Sequence, residues 1–184
     1  MTPDIPFINY KIWQRELLEY ELADYISVPS LFVRDTFIKQ GVDSKKLIVN
    51  PYGVDLQKFY KKPKTDDVFR LIFVGAGCAR KGFHYLLQAF SELNLANCEL
   101  LHLGKVDTEM QPFIDRFSNE SVRFIGHVPQ EELCDYYSQS SVFVLPSLEE
   151  GMAMVQFQAM ACELPIICST NTGAKDHLVT ADGK

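Results

Sequence analysis

The stretch FRLIFVGAGCARKGFHYLLQAFSEL, residues 69–93, decides the fold. After Phe69 and Arg70 it has an unbroken apolar run, residues 71–74, that ends in glycine, which is typical of a β-strand buried on both faces. After a short loop of glycines and basic residues, apolar side chains recur at the spacing of one helix face: Phe83, Leu86, Leu87 and Phe90. The stretch therefore predicts a strand, a loop and a helix, which together are one unit of a parallel α/β sheet.

The same unit recurs along the chain. Further strands are predicted at residues 98–104, 122–126, 141–146 and 164–169, with helices at 108–118, 129–140 and 150–162 between them. Two shorter runs, at 24–29 and 46–53, predict earlier strands on either side of a helix at 30–41. Because the strand segments are continuous apolar runs without alternation, the sequence predicts an α/β fold: a doubly wound, Rossmann-like parallel sheet with helices on both faces.

Composition and charge narrow the function. The chain has 184 residues and a formal charge of −6, which argues against a nucleic-acid partner, although a local basic patch can still bind one diphosphate. The five cysteines form no CxxC pair and no Cys/His metal spacing, and without a signal peptide they indicate a reducing, cytoplasmic location. No apolar run approaches the ~18 residues of a transmembrane helix. A peripheral contact with the cytoplasmic face of a membrane stays open.

Binding sites in parallel α/β sheets lie beyond the carboxyl ends of the strands, which draws attention to the loop GAGCARKG, residues 75–82. Gly75 lets the backbone approach a phosphate closely, and Arg80 and Lys81 add positive charge. Arg80 replaces the third glycine of the dinucleotide fingerprint, and the loop lacks the Gly-Lys-Ser/Thr of the P-loop. The sequence therefore indicates a generic anion site, with a tight turn carrying solvated basic side chains as the alternative.

Two later loops carry further candidates. In GHVPQEEL, the backbone groups of Gly126 and Val128 can face the edge of a base, whereas His127 has no second metal ligand nearby and is expected to be structural or solvent-facing. In PSLEEGMAMVQFQAM, Glu150 stands at the predicted start of a helix, where a carboxylate either binds a ligand or caps the helix. Gln158 follows just over two helical turns later.

Several motifs resemble, in the same order, the nucleotide-sugar-binding half of the retaining glycosyltransferases of the large family 4: RKGFHYLLQAF, VRFIGHVPQEELCDYYSQSSVFVLPSLEEGMAMVQFQAMACELPII and STNTGAKDHL. The segment NPYGVDLQKF, residues 50–59, is similar to the stretch that leads into the second domain of these enzymes. The resemblance covers roughly residues 24–184 and implies one half of a GT-B fold, which has two Rossmann-like domains.

The resemblance implies that the chain binds a nucleotide-diphospho-sugar without a metal or other cofactor. The loop of Gly75, Arg80 and Lys81 would bind the diphosphate, with Lys81 as a catalytic cation. The loop of Gly126 and Val128 would meet the base through its backbone. In this family a phosphate oxygen of the donor usually acts as the base, so no pair of catalytic carboxylates is expected.

The resemblance also assigns the sugar end of the site. Glu150 would contact and orient the sugar as the second catalytic residue, with the amides of Gly151 and Met152 beside it. A glutamate eight positions later usually binds the ribose hydroxyls in this family, and Gln158 stands there instead. An amide can still bond to hydroxyls, but it loses a charge-assisted hydrogen bond, which costs about 1–2 kcal/mol.

Two other positions depart from the family pattern. Ala76 stands where these enzymes often have an arginine on the diphosphate. Glu163 stands where a glycine is common, and a non-glycine residue is strained there if the turn needs a positive φ. These departures leave the predicted fold intact and bear on the donor site alone.

The resemblance predicts two parts, namely residues 1–23 as a helical remnant of the domain junction or N-terminal domain, and residues 24–184 as a donor-binding domain truncated at its C-terminus. The whole protein is expected to transfer a hexosyl group from a UDP-, GDP- or ADP-sugar to an acceptor hydroxyl with retention. The acceptor would bind an absent N-terminal domain, so the fragment alone is expected to bind nucleotide without transferring sugar. The alternatives are a non-catalytic nucleotide-binding or regulatory module of the same fold and a GT-B sugar-nucleotide epimerase.

Overall fold

The computed structural model of the protein describes residues 9–177 and contains two parallel sheets. The smaller sheet pairs β1 (Ile26–Val28) with β2 (Leu47–Val49). Two helices accompany it, α1 (Tyr10–Leu22) and α2 (Leu31–Lys39), and they touch through the rings of Tyr20 and Phe37, whose centroids are 5.0 Å apart. No helix within residues 9–177 is both long and apolar enough to cross a membrane.

The larger sheet has five parallel strands: β3 (Phe69–Val74), β4 (Cys98–Leu103), β5 (Val122–Gly126), β6 (Val142–Leu145) and β7 (Ile166–Cys168). Across the sheet their order is β5-β4-β3-β6-β7. The chain therefore runs outward from β3 to one edge, returns to the centre and then runs to the other edge. This reversal makes the sheet doubly wound and places a switch point beside β3, where such folds bind their ligands.

Four helices connect these strands: α3 (Phe83–Leu93), α4 (Gln111–Phe117), α5 (Leu133–Ser138) and α6 (Met154–Ala161). The apolar face predicted for α3 is buried in full, and it packs against the fully buried centres of the strands, such as Phe73, Leu100 and Phe143. The strands are apolar on both faces because helices cover both. The predicted α/β class with a doubly wound, Rossmann-like parallel sheet is confirmed.

The helix predicted at residues 150–162 is shorter in the structure, because α6 begins only at Met154. Distant contacts hold the preceding residues in a loop. The backbone of Glu150 pairs with Thr172 in an isolated parallel bridge, and the carbonyl of Gly151 accepts a hydrogen bond from Ser30 Oγ at 2.7 Å. The prediction that Glu150 opens or caps this helix is therefore wrong.

Two further expectations concern the ends of elements. The strands predicted at 24–29 and 46–53 exist, but they pair with each other and not with the large sheet. Glu163, just after α6, adopts a φ of +59°, so the left-handed turn anticipated there is present. The boundary between residues 23 and 24 stays a prediction, and residues 1–8 and 178–184 of the two predicted parts lie outside the described residues.

Candidate functional site

The carboxyl ends of the central strands border a cavity of about 290 Å³. The loops after the three strands contribute most of its lining: Gly75 and Ala76 after β3, Gly104 and Lys105 after β4, and His127 and Val128 after β5. Two of the predicted binding residues, Gly75 and Val128, therefore share one cavity, and Gly126 ends the strand that leads into it. The exposed His127 is solvent-facing, as expected, and also lines the cavity. Lys105 lines it too, although no motif in the sequence marks this residue.

Close backbone contacts fix the shape of this edge. A Cβ on Gly104 would lie 2.1 Å from the carbonyl oxygen of Gly75, and a Cβ on Gly82 would lie 2.0 Å from the carbonyl oxygen of Pro146. Only glycine fits at these two positions, which also have positive φ values of +143° and +66°. The loop at residues 75–82 therefore packs directly against the loop that follows β6 and carries Glu150.

A buried histidine supports the first of these loops. His102, in β4, lies among the rings of Phe73, Phe83 and Phe124, and its Nε2 donates a hydrogen bond to the carbonyl of Gly75 at 3.1 Å. Burial disfavours the charged imidazolium, and it lowers the pKa of His102 to about 4. A neutral imidazole with its proton on Nε2 thus anchors the start of the anion loop (residues 75–82). His102 is not among the predicted site residues, although a histidine inside an apolar strand is itself a signal of a structural or functional role.

The two basic side chains of the anion loop turn toward the loop after β6. Lys81 folds back over Gly75, with its Nζ 3.4 Å from the position that a Cβ would take there. Arg80 Nη1 donates to the carbonyl of Glu149 at 3.1 Å, and the carbonyl of Arg80 accepts from the backbone N–H of Leu148 at 2.9 Å. Lys81 is mostly buried while half of the Arg80 side chain is exposed, so the alternative of two solvated basic residues does not describe Lys81.

Glu150 meets these cations. Its Oε2 lies 3.0 Å from Lys81 Nζ and 3.5 Å from Arg80 Nη1, and its side chain is only 16% exposed. A charge pair with so little solvent contact is weakly screened. The structure therefore brings together, on adjacent loops, the three charged residues predicted for the site. They form a charged rim beside the cavity, which Lys81 reaches through its contact with Gly75.

Contacts from two parts of the chain, residues 171–173 and Ser30, hold the backbone of Glu150 and Gly151 in place. The N–H of Glu150 donates to the carbonyl of Asn171 at 2.9 Å, and the carbonyl of Glu150 accepts from the N–H of Gly173 at 3.2 Å. Ser30 donates to the carbonyl of Gly151 and also caps α2 by accepting from the N–H of Val33 at 3.2 Å. Ser30 thus links the smaller sheet's helix to the candidate sugar site, and no local sequence pattern points to it.

The other residues predicted for the sugar end have different surroundings. The side chain of Met152 is buried. Gln158 lies in α6 and is only 5% exposed, and its Oε1 accepts a hydrogen bond from the hydroxyl of the fully buried Tyr137 at 3.2 Å. Because that partner belongs to α5 and to the core, the structure does not group Gln158 with the charged rim. Its ribose contact stays a prediction.

Comparisons with known proteins agree with this architecture. The family model described as "Glycosyl transferases group 1" matches residues 68–183, which is well over half of the chain. The chain belongs to this family. It is 32% identical over 133 residues to the capsular polysaccharide biosynthesis glycosyltransferase CapM of Staphylococcus aureus, covering 69% of this chain and 34% of CapM. It is 27% identical over 192 residues to the amylovoran biosynthesis glycosyltransferase AmsK of Erwinia amylovora, covering 91% and 46% of the two chains.

Solved structures show the same fold. Sucrose-phosphate synthase from Thermosynechococcus elongatus superimposes with a TM-score of 0.80 at 24% identity, covering 96% of this chain and 48% of that enzyme. Anabaena HepE, solved in complex with UDP and glucose, gives 0.78 at 17% identity, covering 94% and 51%. This group 1 glycosyltransferase chain thus has the GT-B type of Rossmann-like domain. It spans about a third to a half of the length of the relatives that it matches.

Proposed function

We propose that the chain forms the donor-binding half of a metal-independent, retaining glycosyltransferase of family 4 that uses a nucleotide-diphospho-sugar. The observation that carries the proposal is the contact between Lys81 and Glu150, with Lys81 lying over Gly75, a residue that lines the cavity. The Gly75 loop and Lys81 bind the diphosphate, Glu150 binds the hexosyl group, and the backbone of Gly126 and Val128 meets the base. The names of similar proteins support this, since they include a mannosyltransferase of Escherichia coli and HepE in complex with UDP-glucose.

The proposed chemistry uses the charge at the rim. When the bond between the sugar and the diphosphate breaks, negative charge grows on the departing phosphate oxygens. Lys81, with Arg80 beside it, provides positive charge that is already in place, so little reorganisation is needed as the transition state forms. A phosphate oxygen of the donor takes the proton of the acceptor hydroxyl in this proposal. Glu150 is therefore assigned to orienting the sugar and not to removing that proton.

Titration calorimetry of the chain with UDP, GDP and ADP tests the binding step. We expect one of these nucleotides to bind, and Lys81→Ala to weaken its binding about 30-fold or more, because the diphosphate loses its mostly buried cation. Lys45→Ala is the matched control. It removes an exposed lysine just before β2 of the smaller sheet, and we expect no change in nucleotide affinity. Failure of a folded chain to bind any of the three, or equal effects of the two substitutions, would contradict the proposal.

One observation favours a second candidate, a nucleotide-binding module of the same fold that does not transfer sugar. Gln158 is bound to Tyr137 in the core, which leaves the ribose without the partner that the family resemblance assigns. A turnover assay with UDP-, GDP- and ADP-hexoses separates the two candidates when the chain is supplied together with an acceptor-binding half. Since the chain spans only part of its relatives, we expect the 184 residues alone to bind nucleotide without transferring sugar.

A further inference from the structure

Lys81 and Glu150, which the proposed function assigns to two different parts of one donor, contact each other directly. Their charged atoms are 3.0 Å apart, and their side chains are 15% and 16% exposed. Glu150 Oε2 is buried and makes no hydrogen bond with any described residue, so the charge of Lys81 is its main compensation. The cation proposed for the diphosphate therefore already has an anionic partner within the protein.

This contact sets up competition between the carboxylate and a phosphate. A phosphate oxygen that reaches Lys81 lies within a few Å of Glu150 Oε2, because the two share one cation. Movement of the carboxylate is limited to rotation of its own side chain, since the bridge to Thr172 and the hydrogen bond from Ser30 to Gly151 hold the backbone on either side of its Cα. An anion bound at Lys81 is therefore repelled by Glu150 at a place where solvent screening is weak.

The repulsion by Glu150 is stronger for a nucleoside diphosphate than for a nucleotide sugar. A nucleoside diphosphate ends in a free phosphate whose second pKa is about 6, so it carries about one more negative charge at neutral pH than the diester of a nucleotide sugar. The nucleotide sugar also brings hydroxyl groups, which can donate hydrogen bonds to the carboxylate that Lys81 releases. Glu150 thus weakens the binding of the nucleoside diphosphate. For the intact donor, it offsets this repulsion by accepting hydrogen bonds from the sugar hydroxyls.

We propose that Glu150 determines the specificity of the site for an intact nucleotide sugar over the nucleoside diphosphate that transfer leaves behind. The inference rests on the proposed function, since it takes Lys81 as the diphosphate cation. The ion pair between Lys81 and Glu150 re-forms as the diphosphate departs, which favours product release.

The test measures three probes by titration calorimetry on the chain and on Glu150→Gln. The probes are the nucleoside diphosphate that binds, its hexose derivative, and inorganic pyrophosphate, which carries the charge without a base. We expect Glu150→Gln to bind the nucleoside diphosphate and pyrophosphate about tenfold more tightly than the unmodified chain, because the competing charge is gone. The hexose derivative gains little or nothing, so the preference for the donor falls about tenfold.

Glu149→Gln is the matched control. It makes the same change at the neighbouring, exposed glutamate, whose side chain is outside the ion pair, so we expect all three affinities to stay within about twofold. Glu150→Asp shortens the side chain while keeping its charge, and it should give an intermediate gain for the nucleoside diphosphate.

The outcomes separate this inference from the proposed function. Unchanged or weaker binding of the nucleoside diphosphate by Glu150→Gln overturns the inference while leaving the donor site in place. An equal gain from Glu149→Gln also overturns it, because the effect is then one of overall charge. If neither protein binds a nucleotide, the proposed function falls and the inference falls with it.

Discussion

Glu150 and Gln158, eight positions apart on one segment, end in opposite environments. Glu150 is charged, lies in a loop of the charged rim beside the cavity and contacts two cations. Gln158 is neutral, lies inside a helix and is bonded to Tyr137 in the core. A charged group at the rim can exchange a protein partner for a ligand, whereas a polar group in the core keeps one fixed partner because leaving it unpaired costs about 1–3 kcal/mol.

The difference teaches that spacing along a motif does not settle which side of a helix a residue faces. The backbone of Glu150 is tied to residues 171–173 and the next carbonyl to Ser30, whereas the position of Gln158 follows from the packing of α6 against α5. The same contrast includes His102, a second neutral polar residue in the core. Substitutions that change charge in the core therefore test the contrast most directly.

The largest effect is expected from Gln158→Glu, which installs the residue that the family usually has. The new carboxylate would lie at a position only 5% exposed, so we expect it to lower the free energy of unfolding at pH 7 by about 2–4 kcal/mol. Burial raises the pKa of such an acid, so the folded state binds more protons than the unfolded state above the ordinary pKa. The loss should therefore shrink as the pH falls toward about 4.

Urea denaturation at pH 7 and pH 4.5 measures this change. Gln130→Glu makes the same substitution at an exposed residue and should leave stability nearly unaltered at both pH values. A fully stable Gln158→Glu protein that also binds nucleotide more tightly would break the contrast, since it would place position 158 within reach of the ribose.

A somewhat smaller effect is expected from the pH dependence that His102 imposes. Its pKa is lowered to about 4 by burial, whereas an unfolded histidine titrates near 6.5. Between these pH values the unfolded chain takes up a proton that the folded chain does not. The contribution of His102 to the free energy of unfolding is therefore fully present above about pH 6.5. It is lost as the pH drops toward 4, and the loss reaches up to about 3 kcal/mol.

His102→Gln isolates this contribution, because glutamine has an amide donor for the carbonyl of Gly75 but does not titrate. We expect the variant to be less stable than the parent at pH 7 and to lose less stability between pH 6.5 and 4.5, as measured by urea denaturation. His127→Gln, the same change at an exposed histidine, is the control for the dependence of the free energy of unfolding on pH, which is the slope being compared. Equal slopes for the parent and His102→Gln would refute the assignment of a neutral, buried imidazole.

Much of the fold could be predicted because its signals are local. The apolar cores of β3, β4 and β6 and the helical spacing of Phe83 and Leu87 are visible in short windows. The structure buries residues 71–74, 100–101 and 142–145 and both helix residues, as expected. The pairing of β1 with β2 in a separate sheet could not be predicted this way, since an apolar run identifies a strand without identifying its neighbour.

The candidate site also has parts that could be predicted from local sequence and parts that depend on distant contacts. Gly75, Arg80, Lys81 and Glu150 were selected because loops at the carboxyl ends of parallel strands meet at one edge. The late start of α6 was not foreseen, because the contact from Ser30 to Gly151 joins residues 121 positions apart. The inward position of Gln158 was also missed, since α6 buries Gln156 and Ala159 as well and has no single polar face by which to orient it.

The smallest expected effect concerns Glu163, where α6 ends. Its φ of +59° is costly for a residue with a Cβ, while its ion pair with Lys61 is exposed and adds little. Glu163→Gly removes both the strain and the ion pair, whereas Glu163→Ala removes only the ion pair. We therefore expect the glycine variant to be more stable than the alanine variant by about 1 kcal/mol in urea denaturation.

The same two substitutions at Glu92 are the matched control. Glu92 lies in the last turn of α3 and is exposed, and there glycine should be less stable than alanine by up to about 1 kcal/mol, because a helical position disfavours its conformational freedom. The sign of the difference between glycine and alanine should thus reverse between the two positions. An alanine variant at position 163 as stable as the glycine variant would mean that the turn relaxes its φ, and the departure from the family's glycine would then carry no cost.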